Sequence, residues 1–389
     1  MTGLSVSIES SSSVSACGYI RMKNDGKKIG CNIQILIIGI TIFVLTTIPQ
    51  DIALIKVWGN LTLMADNLII SMPIMIRELT LFVPWLHKKD LARLFIEIER
   101  DWIKKNPEMR NIMIKNARIG KQLTVYGLCL GYFSVVLYTN SIFFNITLRT
   151  MNNFTDVEGR ILPLQAVYPY DISSSSRYFF TFGTQVFSSL LSCTTYTGIN
   201  VLFGVFVLHA CGQLEIISDD IVKMSDSKNY QQLLKRNIQD HIRVIRFINQ
   251  VEKIFNLLLL ALFSSIVISF CLLEFNLISV LSGKTKNISL LSVIFFIQFL
   301  LYFIFITFIY SWVGEKLITQ SSALHTAACN TNWCTRKSYE SLQLIILLLR
   351  SQYPLLLTVG KIASVRLTTF AALLKSSVGY ASVLRAVQK

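Results

Sequence analysis

The side chains with chemistry to do are crowded into the last forty residues, which read RSQYPLLLTVGKIASVRLTTFAALLKSSVGYASVLRAVQK. After Ile362 the only helix breaker is Gly379, yet Ser364, Arg366, Thr368, Thr369, Lys375, Ser376, Ser377, Ser382 and Arg385 are spread through the segment. Lipid does not accommodate such groups on every face of a helix, so one face must meet water. At helical spacing Thr368 or Thr369, Ala372, Ser376, Gly379, Val383 and Val387 fall along one side. That pattern is suited to lining a wet path, with Thr369, Ala372, Ser376 and Gly379 as lining candidates and the two valines near the outer end. Lys375 sits about 80° around the helix from Val383, at roughly 100° per residue. A lysine facing a cation path would repel its ions, so it is expected at a subunit interface or snorkelling toward the cytoplasmic vestibule.

Catalytic chemistry finds no support. His87, His209, His241 and His325 are far apart and map to the cytoplasmic side, with no nucleophile motif and no phosphate-binding glycine loop. They are expected to serve as interface or capping residues, and the chain not to be an enzyme. The eight cysteines show neither metal-ligand nor disulfide spacing, and Cys329 and Cys334 read as reduced thiols. No cofactor and no metal is expected.

These residues must be positioned by membrane helices. Mean hydropathy is +0.53, and 52% of residues are hydrophobic against 15% charged, far fewer charges than in a soluble domain. Apolar runs long enough to cross a bilayer predict seven spans, at 33–54, 60–86, 121–145, 179–211, 254–281, 289–313 and a split final element at 341–388. The expected fold is an all-α integral membrane protein of the plasma membrane, with cytoplasmic helical extensions and a split seventh helix. Its divisions are a cytoplasmic tail at 1–32, a six-helix bundle at 33–313, which the family resemblance described below implies holds an outer ligand pocket, and an anchor segment with the pore-lining final helix at 314–389. Residues 1–20 are Ser-rich without an apolar core, so no cleavable signal peptide is expected and the first span should act as the targeting signal.

Lysine and arginine counts orient the bundle. With the N-terminus inside, cytoplasmic segments hold 24 and outer loops 6. The sequons at Asn60, Asn145, Asn153 and Asn287 all fall in or beside predicted outer loops, and only lumenal sequons are used; Asn145 and Asn153 are the leading glycosylation candidates. Seven spans then leave the C-terminus outside, the reverse of a G-protein-coupled receptor. The net charge of +15 reflects this bias and attraction to anionic membrane lipid rather than nucleic-acid binding.

Between the spans, 87–121 has the helical pattern of Leu91, Leu94, Phe95, Ile98 and Trp102 among charges. In 212–253 the stripe Leu233, Leu234, Ile238, Ile242, Ile245 and Ile248 runs straight into span five. These segments and 314–350 predict helices extending below the bilayer into a platform for subunit contacts. The outer loop 146–178, with Pro163, Pro169 and apolar Ile161, Leu162, Leu164, Val167 and Tyr168, is expected to fold partly over the bundle's mouth.

Several landmarks together resemble the insect odorant receptors, seven-span ligand-gated cation channels of inverted topology. They are Asp66-Asn67-Leu68, Asp101-Trp102, Leu162-Pro163-Leu164, Tyr168-Pro169-Tyr170-Asp171 and Gln185, then His209, Gln213 and Leu214 within LHACGQLEIISDDI, and His241. Further on come Ser322, Ala328 and Trp333, Ser351-Gln352-Tyr353-Pro354, Gly360-Lys361 and Phe370. The match extends over most of the chain. It departs at Cys329, where the family usually has Tyr, and at Val378, Gly379 and Ala381, which interrupt a Ser-Tyr-rich run that keeps Ser377 and Tyr380.

The resemblance implies a subunit that binds a small hydrophobic odorant or pheromone and opens a non-selective cation pore with a shared co-receptor in a hetero-oligomer, a tetramer being expected. It also implies that Val383 and Val387 form the apolar gate; rings of valine can make a constriction that stays dry, the alternative being packing against neighbouring helices. By the same resemblance the ligand site lies among the outer halves of spans two, three, four and six. Its candidates are Met64, Asn67, Leu68 and Ser71, Tyr132, Val136 and Thr139, Phe182, Val186 and Leu190, and Phe295, Phe299 and Tyr302. Asp66 and Glu274 are intramembrane carboxylates, each a functional or a structural hydrogen-bonding candidate. A gustatory-receptor-like channel is the alternative within the same topology.

Overall fold

The computed structural model describes residues 39–104, 106–143, 161–224, 227, 229–281, 290–331 and 338–387, the last eight by backbone alone. The helices are α1 (Gly39–Lys56), α2 (Leu61–Leu86), α3 (Lys88–Lys104), α4 (Pro107–Phe143), α5 (Ser175–Met224), α6 (Tyr230–Leu281), α7 (Leu290–Cys329), α8 (Ser338–Ser351) and α9 (Leu367–Val387). A two-stranded antiparallel hairpin, β1 (Thr358–Val359) and β2 (Ala363–Ser364), separates α8 from α9. Among the described residues six helices, α1, α2 and α4 to α7, are long and apolar enough to cross a membrane. The final helix, at 21 residues, is long enough to span but carries the polar groups described above.

Local sequence explains the element ends. Asn60 caps α2, its side-chain oxygen accepting from Leu63 N at 3.3 Å. Pro107 opens α4, where its missing N–H and fixed φ suit a first helical position. The 87–121 segment is therefore two pieces: α3 alone, and an inner extension of span three that begins 14 residues before the apolar run at 121. At 50 and 52 residues, α5 and α6 reach roughly 75 Å at 1.5 Å per residue, more than twice a bilayer's hydrocarbon thickness. The extension expected for 212–253 is thus continuous helix joined to spans four and five.

At the end that the charge distribution assigns to the cytoplasm, polar pairs bind the extensions together. His209 Nε2 on α5 lies 3.0 Å from Asp101 Oδ2 on α3, and Arg243 on α6 lies 3.0 Å from the other oxygen of Asp101. Three of the spaced landmarks, Asp101, His209 and Ser351, thereby acquire structural roles, Ser351 Oγ lying 2.9 Å from His325 Nδ1. A hydrogen bond from Lys253 holds the Asp90 carboxyl below its ordinary range, whereas burial pushes Glu97 up.

The split in the final element is built with unusual tightness. Gly360 and Lys361 both have φ of +59°, as a type I′ two-residue turn requires, and Ile362 N donates to Val359 O at 3.0 Å. The hairpin docks on α6: Gly360 N donates to Asn256 O at 3.3 Å, and Asn256 Nδ2 to Thr358 Oγ1 at 2.7 Å. It docks on α7 through Gly314, where an added Cβ would lie 2.1 Å from Val365 O. The next residue, Glu315, accepts from Leu367 N at 3.3 Å and pairs with Arg366 at 3.5 Å. A carboxylate therefore satisfies the first N–H of α9, where the helix dipole favours negative charge.

Candidate ligand cavity

Small residues bring α4 and α5 close enough to shape a cavity. Gly127 and Gly131 on α4 form a G-x-x-x-G pair. A Cβ at Gly131 would lie 2.6 Å from Cys193 Sγ on α5 and 3.4 Å from the Tyr302 ring on α7, and one at Gly127 would lie 3.1 Å from Thr197. Beside this contact α2, α4, α5 and α7 line a cavity of about 120 Å³. Its walls are Ile70, Pro73 and Ile74 of α2, Gly131, Ser134, Val135, Tyr138 and Thr139 of α4, Ser189, Ser192, Cys193 and Tyr196 of α5, and Phe295, Phe299 and Tyr302 of α7.

The roof is the segment 161–172 that precedes α5. Pro163 and Leu164 line the cavity, and Gln185 clips them in place: its Oε1 accepts from Leu164 N at 2.8 Å and its Nε2 donates to Leu164 O at 3.3 Å. The same Nε2 donates to Tyr168 Oη at 3.0 Å, and that hydroxyl donates to Leu45 O on α1 at 3.0 Å. Burial pushes the Tyr168 phenol up to about 12, so it remains a neutral donor. The expectation that the loop folds over the bundle is met by residues 161–172, and the landmarks Leu162-Pro163-Leu164, Tyr168 and Gln185 are its fastening.

One wall is aromatic. Phe295 and Phe299 stack at 5.5 Å and 17°, and Phe299 and Tyr302 at 6.5 Å and 7°. The i, i+4, i+7 spacing puts these rings on one face, which offers flat apolar area with a hydroxyl at its deep end, where Tyr302 Oη lies 3.2 Å from Thr197 Oγ1.

Four of the thirteen residues named from sequence, Thr139, Phe295, Phe299 and Tyr302, line this cavity. Val136 is exposed, and Tyr132 turns its hydroxyl to Thr194 Oγ1 at 2.6 Å. On α2, Met64 Sδ accepts from Gly59 N, Asn67 and Ser71 are buried, and Leu68, like Phe182 on α5, packs against the apolar cluster of Ile69, Phe270 and Phe296. Val186 and Leu190 are half-buried on α5, with Leu190 O accepting from Thr194. Sequence reasoning passed over Gly131, Ser192, Cys193, Tyr196 and the α2 face at Ile70, Pro73 and Ile74. It favoured large apolar side chains, yet a cavity exists where side chains are small.

On α9, Thr368, Ala372, Lys375, Ser376 and Gly379 are exposed in the single chain and Thr369 is half-buried, its Oγ1 donating to Ser364 O at 2.7 Å. The opposite side meets α6, with Ser377 Oγ donating to Glu274 Oε1 at 3.4 Å. Asp66 accepts from Asn276 Nδ2 at 2.7 Å, so both intramembrane carboxylates have hydrogen-bond partners. The side chains of Val383 and Val387, and residues Asn145, Asn153, Asn287 and Trp333, lie outside the described residues.

The fold and cavity define a multi-pass membrane helix bundle with a small, mostly apolar cavity beneath a fastened loop. The family model for the 7tm odorant receptors matches residues 60–378, and the chain belongs to that family, one of receptors rather than enzymes. Among curated relatives it is 25% identical over 253 residues to Odorant receptor 13a of Drosophila melanogaster, a match covering 60% of this chain and 59% of that one. It is 22% identical to Odorant receptor 10 of Aedes albopictus over 85% of this chain and 83% of that one. The solved olfactory receptor OR5 of Machilis hrabei in complex with eugenol superposes with a TM-score of 0.77 at 14% identity, covering 94% of this chain and 91% of that chain. A second structure of the same receptor superposes with a TM-score of 0.76 at 15% identity, covering 93% of this chain and 90% of that chain.

Proposed function

We propose that this odorant receptor is the ligand-binding subunit of a non-selective cation channel, taking a small hydrophobic odorant or pheromone into the cavity beneath Leu164. The observation that carries the reading is the aromatic ladder Phe295-Phe299-Tyr302 across the cavity from the small residues Gly131, Ser192 and Cys193. Sites of this composition suit apolar ligands oriented by few polar groups. A cavity of about 120 Å³ is close to the engineered one of roughly 150 Å³ that holds benzene. The Machilis receptor solved in complex with eugenol, a small aromatic molecule, supports the same ligand class.

In this reading α9 lines the pore through Thr369, Ala372, Ser376 and Gly379, with Val383 and Val387 as its apolar gate. Binding favours the open arrangement, and a full shift from mostly closed to mostly open needs about 5.5 kcal/mol of differential binding summed over sites. Partner subunits, including the shared co-receptor, dock on the cytoplasmic platform. Leu342, Ile346 and Leu349 support that surface, an exposed apolar stripe on α8 outside the six apolar spanning helices.

The test is current recorded from cells expressing the chain with an extracellular-side tag after Lys389, with and without co-receptor, against a volatile panel. The expected result is tag labelling on intact cells and ligand-gated cation current only with co-receptor present. Labelling that requires permeabilisation would overturn the orientation, and absence of current across a broad panel from surface-labelled complexes would overturn the channel reading.

A further inference from the structure

Three polar side chains meet where α7 ends against α8, at the end that the charge distribution assigns to the cytoplasm. Cys329 Sγ lies 3.5 Å from His325 Nε2, one turn back on α7, and His325 Nδ1 lies 2.9 Å from Ser351 Oγ on α8. Ser351 is buried, and its Oγ donates to Leu348 O at 3.1 Å. A hydroxyl has one proton to give, so toward His325 it accepts, and the imidazole carries its proton on Nδ1. Nε2 is then the lone-pair nitrogen, and it faces the thiol.

Among the described cysteines, Cys193, Cys211 and Cys271 are buried or half-buried, and Cys129 is exposed within the apolar run of span three. Cys329 is exposed as well, but it follows the apolar run ending at 313 by about four turns of helix, so it meets water rather than lipid. Two ligands do not make a metal centre, and no group of three His, Cys, Asp or Glu side chains suited to a metal forms among the described residues. The arrangement is that of a nucleophile, the base beside it and a third group that orients the base. An exposed thiol of this kind selects its reagent by reactivity rather than by shape.

We propose that Cys329 is a covalent modification site for small α,β-unsaturated carbonyl compounds, with His325 as its base and Ser351 as the residue that positions the base. The S–H proton passes to His325 Nε2 as sulfur bonds to the β-carbon. The C=C π pair moves into the enolate, and the imidazolium returns the proton to the α-carbon. One S–H bond and one π bond are lost, one C–S and one C–H bond are formed, and no oxidant or further reactant is needed. The thioether is stable, so this is a single modification of the chain and not turnover. The probes are trans-2-hexenal and hexanal, which lacks the C=C bond, each given to the purified full-length receptor with glutathione present as a reference thiol. Adducts are located and timed by fragment mass spectrometry for wild type, His325→Gln, Ser351→Ala and Ser351→Thr. A free thiol is only a few per cent thiolate at neutral pH, which leaves room for a base to speed its reaction by roughly tenfold. Wild-type Cys329 is therefore expected to take up trans-2-hexenal about tenfold faster than glutathione does, and to hold no stable adduct from hexanal. His325→Gln should bring the rate down to that of glutathione. Ser351→Ala should slow it by about threefold or more, and Ser351→Thr, which keeps the hydroxyl, should restore it. A wild-type rate no faster than that of glutathione, a comparison that depends on no variant folding, overturns the proposal, as does a rate unchanged in His325→Gln. A wild-type rate in Ser351→Ala overturns the positioning role of Ser351.

Discussion

Gly314→Ala is expected to remove ligand-gated current almost completely. The added methyl would sit 2.1 Å from Val365 O and 3.0 Å from Val365 C, a contact with backbone that no rotamer change relieves. Overpacking of this kind typically costs about 1–3 kcal/mol where neighbours can move. Here the neighbour is the chain entering α9, fixed on its other side by the hairpin's bonds to Asn256. Displacing it also parts Glu315 from Leu367 N and Arg366. Because α7 carries Phe299 and Tyr302 near its outer end and Gly314 farther in, this junction joins the cavity wall to the final helix. Glu315→Gln, which keeps the shape and drops the charge, should be milder, losing about 1 kcal/mol of helix-end stabilisation. The check is surface expression, thermal stability and current for both variants; a Gly314→Ala receptor with wild-type values in all three would show that the contact is not close in the working molecule.

Ser192→Phe is expected to abolish the response to every ligand while preserving expression at the cell surface. Ser192 lines the cavity from α5, and its hydroxyl is bonded only within its own helix. A benzyl group at this position brings a ring of the size that a cavity of roughly 150 Å³ accepts into a space of about 120 Å³. The substituent therefore occupies the ligand's place, and filling an apolar void does not destabilise the bundle as overpacking a full core would. Dose–response curves should shift beyond the highest ligand concentration tested. An unchanged curve would place the ligand elsewhere.

The depth to which the sequence is readable follows its periodicity. On α7 the large rings recur at 295, 299 and 302, one unambiguous face, and all three line the cavity. On α5 nearly every position from Tyr196 to Leu214 is buried; a helix apolar on all sides carries no phase, and of the residues chosen, 182 and 186 precede the wall at 189–196 while 190 lies one position, about 100°, from Ser189. On α4 the choice of Tyr132 and Val136 is one position, about 100°, from Gly131 and Val135. What decides that phase is the Gly127 and Gly131 contact with α5, a long-range approach that hydropathy does not register. The hairpin at 358–364 was hidden because two-residue strands have no pattern to read.

The most direct test of the account is a density map of the full-length receptor, assembled with its co-receptor and bound to an activating odorant. The account predicts ligand density between Gly131, Leu164, Phe299 and Tyr302, against the aromatic ladder. Ligand density outside these walls, with the cavity empty in an activated channel, would contradict it.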